Sequence, residues 1–107
     1  MTLSKAGGYE LEKTYICDYW REVFKVIEVH GSGESYSNGW AVTVIWADGR
    51  KTTHSTPRTS KDIELPVDID LLDTRGRIKS FDIISKTSNI PIEKWQEATD
   101  IIKKIIR

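Results

Sequence analysis

Chemistry in this chain would have to come from very few side chains. It holds one cysteine, Cys17, and two histidines, His30 and His54. A thiol nucleophile needs a base beside it and a positive environment that lowers its pKa. The neighbours of Cys17 are Asp18 and Tyr19, and a carboxylate pushes a thiol pKa up instead. An inert, half-buried thiol is the expectation. Zinc would need further ligands at short spacing, and the sequence has neither an HxxxH nor a CxxC pair. The acidic run 68–73 lacks the glycine and the bidentate glutamate of an EF-hand loop. Asp68 and Asp70 alternate with Val67, Ile69 and Leu71, so a period of two makes them the wet face of a strand. Gly31, Ser32 and Gly33 lack the lysine and helix start of a phosphate loop. No enzyme, cofactor or metal is expected. The catalytic reading that remains is a metal-assisted hydrolase using His30 or His54 with Asp68 or Asp70.

Binding has more material. Tyr19, Trp20, Tyr36 and Trp40 lie at strand ends or in a loop, where aromatics can line a peptide groove or stack on a base. Trp40 and Trp46 bracket a strand and are expected mainly in the core. Arg50, Lys51, Arg58, Arg75 and Arg77, with Lys61 and Lys79, offer contacts to phosphates. Charge comes in blocks. Residues 50–61 hold only basic charges and 62–73 only acidic ones, while the whole chain balances 16 basic against 16 acidic groups. That balance gives no general attraction for a polyanion. A protein partner is favoured over nucleic acid.

The elements that must position these residues are legible in outline. A chain of 107 residues, 38% apolar and 30% charged, suits one domain with its own core. Residues 1–12 are expected to be loosely held, 14–85 to form the sheet, and 90–107 a helix. Segment 22–29 is strand-like and apolar on both faces, Phe24 and Val26 on one, Val23, Ile27 and Val29 on the other; such a strand suits a small coiled barrel. A loop over 30–39 follows. Segment 40–46 alternates, with Trp40, Val42, Val44 and Trp46 on one face. Asp48-Gly49 then makes a hairpin. A two-residue turn sets Val44 against Thr53, Thr43 against His54 and Val42 against Ser55; a three-residue turn with a glycine bulge shifts these partners. In the two-residue register, Thr52 and His54 share a face with Thr43 and Ile45. Segment 59–66 reads as an irregular crossing, and 67–72 with 78–84 as a second strand pair.

The last element is an amphipathic helix. Ile92, Trp95, Ala98, Ile102 and Ile105 recur at three- and four-residue spacing. Ser88 or Asn89 can cap it, and Pro91 fits a first turn. It is expected to pack across the barrel or close one end. Surplus Ile101 and Ile106 allow a homodimer through this helix. The lone cysteine suits a reducing compartment. No apolar run approaches ~20 residues, and the polar start lacks a signal-peptide core. The expected location is therefore the cytoplasm, without a membrane partner.

Over about residues 14–65, the strand order and aromatic placement of 22–29 and 40–56 resemble an SH3-like or Tudor-like barrel. That resemblance implies an α+β domain, a five- or six-stranded antiparallel SH3-like barrel here followed by the helix. It also implies binding through aromatics and loops at one barrel edge, where Tyr19, Trp20, Tyr36 and Trp40 stand. The ALYDY-type motif of proline-binding SH3 domains is absent, so proline-rich ligands are not implied. The hairpin also resembles segments of small bacterial and phage proteins, a resemblance that implies no activity. The expectation is a non-catalytic module acting on a protein partner, a small regulator or inhibitor of bacterial or mobile-element origin. The alternative is a nucleic-acid-binding barrel.

Overall fold

The computed structural model describes residues 4–31, 39–71 and 90–105. Strands β1 (Lys5–Ala6) and β2 (Tyr9–Glu10) form a small hairpin. Strands β3 (Thr14–Cys17), β4 (Glu22–His30), β5 (Ala41–Trp46), β6 (Lys51–His54) and β7 (Asp62–Leu65) make one antiparallel sheet in the order β6-β5-β4-β3-β7. A 3-10 turn (Ile69–Leu71) and helix α1 (Ile92–Ile105) complete the described chain. The class is α+β, as expected. The edge strands β6 and β7 share no ladder among the described residues, so the sheet is not closed by hydrogen bonds.

Each face of the sheet carries its own core. On one side, Ile16 and Val23 pack with Leu65, Val67 and the helix residues Trp95, Ala98, Ile102 and Ile105. On the other, Tyr15, Cys17, Phe24, Val26, Val42 and Val44 pack with Tyr9 from the N-terminal hairpin. Each fully buried Val, Leu, Ile or Phe among them contributes about 1.5–3 kcal/mol relative to exposure. The helix thus covers one sheet face, and its periodic stripe is buried except at Ile92, which stays 57% exposed.

In β4, a bulge between Val26 and Glu28 leaves Ile27 out of the ladder. The alternation restarts one residue later, so Val29 joins Phe24 and Val26 instead of Val23. Sequence alternation alone had placed Val29 on the opposite face.

The hairpin takes the longer turn. Gly49 N–H donates to Trp46 O at 2.9 Å and Trp46 N–H to Arg50 O at 2.8 Å, enclosing three loop residues. Gly49 supplies the left-handed position, at φ +96°. The two-residue register is therefore corrected by one step: Val44 faces Thr52 and Val42 faces His54. Thr52 and His54 consequently lie with Trp46, not with Thr43 and Ile45. Trp46 Nε1 donates to Thr52 Oγ1 at 2.8 Å, and the Trp46 and His54 rings stand 6.2 Å apart.

Two further segments differ from expectation. Segment 62–65, read as part of a crossing, is β7, paired along all of β3. The proposed strand start at 67–72 is a 3-10 turn over Ile69–Leu71, pinned where Ile69 N–H donates to the buried Thr14 Oγ1 at 3.0 Å. Asp68 is not on a strand face; it pairs with Lys25 Nζ at 2.9 Å. From Ser4 onward the chain turns at Gly7 and Gly8 and places Tyr9 in the core. Residue 36, the strand expected at 78–84, the caps at 88 and 89, Arg75, Arg77, Lys79 and Ile106 lie outside the described residues.

Candidate partner-binding face

The β3–β4 connection is short and tightly held. Arg21 N–H donates to Cys17 O at 2.6 Å, Trp20 N–H to Cys17 Sγ at 3.5 Å, and Asp18 N–H to Lys61 O at 2.7 Å. These bonds fix the backbone and leave the side chains at the tip outside. Tyr19 and Trp20 are each 66% exposed, their rings edge-to-face at 4.9 Å. Lys61 Nζ lies 5.1 Å above the Tyr19 ring, a cation–π contact that positions the ammonium.

Behind this pair is a cavity of about 230 Å³. Its floor is the sheet face of Phe24, Val42, Val44 and Trp46; Trp20 and Tyr19 form one wall, and the chain from His54 through Pro57 to Asp62 forms the other. The one-step register shift is what brings His54 into it.

Three of its titratable groups, Tyr9, Cys17 and His54, are shifted toward their neutral forms. Burial raises the Tyr9 phenol, and donation to Asp62 Oδ2 at 2.6 Å raises it further. Burial also raises the Cys17 thiol; the Trp20 N–H works against that and Asp62 adds to it. Burial lowers the His54 imidazole, with Asp62 opposing. Thr52 Oγ1 accepts from Trp46 and lies 2.6 Å from His54 Nε2. The short Thr52–His54 contact ties the imidazole to the hydroxyl across the strand face. A protonated thiol and an imidazole bonded elsewhere do not make a nucleophile–base pair.

The residues singled out by sequence separate here. Tyr19 and Trp20 stand together on the exposed rim. Trp40 is half-buried, its ring over Gly7 against the second core. Arg50 donates from Nε to Asp48 Oδ2 and from NH2 to Glu22 Oε2, both at 2.6 Å, so two carboxylates already hold it. Lys51 is exposed on β6, opposite Ile45. Arg58 lies 5.1 Å over the Tyr15 ring and donates to Asp62 O at 2.8 Å. His30 Nε2 is 2.9 Å from Thr43 Oγ1 and 3.4 Å from Glu28, while Asp68 is held by Lys25. Among the described residues, no three His, Cys, Asp or Glu side chains gather to hold a metal.

Sequence reasoning missed the wall contributed by His54, Lys61 and Asp62. The signal available was the Ile63–Leu65 alternation, which marks β7 and thereby fixes where Asp62 begins. No helix among the described residues is long and apolar enough to cross a membrane. No family model, curated protein or solved structure matches the chain.

Proposed function

We propose that this chain is a non-catalytic binding module that takes a protein partner on the face formed by Tyr19, Trp20 and the cavity behind them. One observation carries this reading: two large aromatic side chains stand exposed on a backbone held by three hydrogen bonds. Exposed aromatics on a fixed support lose little entropy on binding and make strong anchors. The doubly paired Arg50 and the scattered Lys51 and Arg58 weigh against a nucleic-acid surface, which needs a continuous run of cations. The protonated Cys17 and the Thr52-bonded His54 weigh against catalysis.

The sheet is read as an SH3-like barrel left open between β6 and β7. Counted from β3, its order runs fifth, first, second, third, fourth, which supports that reading. Such a module acts as a small regulator or inhibitor of its partner, of bacterial or mobile-element origin. A reducing cytoplasm fits the unpaired Cys17. The test is selection of displayed random peptides on the intact chain and on Trp20→Ala. Peptides that bind the first and lose about tenfold or more on the second support the face; a set indifferent to Trp20→Ala rejects it.

A further inference from the structure

Resting on that binding face, we infer that its ligand is an extended peptide in which an apolar side chain stands beside a carboxylate. The apolar group enters the cavity behind Trp20, and the acid meets Lys61. Size supports the first half. Small-molecule sites run to roughly 300–1,000 Å³, whereas this cavity holds about 230 Å³. That is room for one side chain, against an accessible lining of Trp20, Trp46 and Pro57 that rewards an apolar one.

Charge supports the second half. Lys61 makes no ion pair with any described residue, and its main chain is tied to the β3–β4 turn through Asp18 N–H. Its ammonium is therefore held at the rim with its charge unmatched. Arg58, close by in sequence, also lacks a carboxylate partner among the described residues. The one carboxylate lining the cavity, Asp62, is directed at the buried Tyr9 hydroxyl. A partner carboxylate at Lys61 gains a charge-assisted hydrogen bond, while a basic side chain there meets like charge. Neighbouring residues of an extended peptide place the two groups on opposite sides of the strand, and residues two apart place them on the same side. The spacing of acid and anchor is thus read directly from selected sequences.

The experiment selects a random displayed-peptide library on the wild-type chain, Trp20→Ala and Lys61→Glu in parallel. Both positions are exposed, and far-UV circular dichroism checks that both variants fold. Peptides enriched on the wild type are expected to carry Asp or Glu within two positions of an aromatic or aliphatic residue. They should bind both variants about tenfold more weakly, and Lys61→Glu should instead enrich Lys or Arg at the acidic position. Peptides that need Trp20, carry no acid and ignore Lys61→Glu overturn this inference and leave the binding face standing. Absence of any Trp20-dependent peptide overturns both. So does a labelled single-stranded oligonucleotide that binds at physiological salt and is lost in both variants.

Discussion

Gly7 has φ +59°, and a Cβ added there would overlap the ring of Trp40. Gly49 has φ +96° with nothing near its missing side chain. The same substitution therefore measures two different things. Gly49→Ala carries only the left-handed backbone penalty, about 1–2 kcal/mol. Gly7→Ala adds an overlap with Trp40, about 1–3 kcal/mol more. Urea denaturation of both variants checks this. In a Trp40→Ala background, the excess at Gly7 should vanish; equal costs at the two glycines would show that Trp40 does not rest there. His54 gives a second residue-scale prediction. Its ring reaches solvent at the rim, yet the atoms packed around it partly desolvate the cation and set its folded pKa below the ordinary value of 6.5, so its effect on stability is small. Stability from this group is complete above that value and falls as pH drops through the lowered one. The urea midpoint should decline on acidification from pH ~7 to ~5, and His54→Phe should flatten part of the decline. An unchanged slope would contradict the assigned neutral ring.

At the scale of elements, the helix tests how far periodicity can be trusted. Ile92 and Ile102 belong to the same stripe by spacing, yet one is 57% exposed and the other 4%. Ile102→Ala should cost about 2–5 kcal/mol and Ile92→Ala within about 0.5 kcal/mol of nothing, read by chemical denaturation. Spacing alone does not separate the two positions, since Trp95, in the same first turn as Ile92, is fully buried. Other elements were legible for clear reasons. β4, β5 and the helix have long, regular apolar patterns, and Asp48-Gly49 marks a hairpin whatever its length. The hairpin register was not legible, since both turn lengths use a glycine at position 49 and only the cross-strand packing of Trp46 on Thr52 and His54 chooses. β7 was hidden by its brevity and by Pro66 directly after it. The 3-10 turn at Ile69–Leu71 depends on a bond from Thr14, 55 residues away, which no local pattern reports. The exposed half of the site, Tyr19 and Trp20, was readable as candidate anchors. The cavity behind them was not, because its far wall follows from the register and from β7.

Across the whole molecule, the two cores share their middle strands. β3 sends Ile16 to the helix side and Tyr15 and Cys17 to the other; β4 sends Val23 to the helix side and Phe24 and Val26 to the other. Neither core can melt while these strands stay paired for the benefit of the other, so unfolding should be one cooperative transition. Val23→Ala weakens only the helix side directly, and Phe24→Leu only the aromatic side. Each should nonetheless move the far-UV signal, dominated by backbone, and the tryptophan emission to the same new midpoint. Separate midpoints in either variant would mean that the helix-side core and the aromatic core are independent units. The proposed binding face sits on this coupling. Its floor belongs to the aromatic core and its rim is tied to Cys17 at the end of β3, so loosening the helix-side core should also loosen the rim. A peptide selected on the wild type should therefore lose affinity for Val23→Ala only as that variant's unfolded fraction grows, its Kd scaling with the folded population. A loss of affinity larger than the unfolded fraction explains would mean that the substitution distorts the rim within the folded state, so that the two faces are coupled without unfolding.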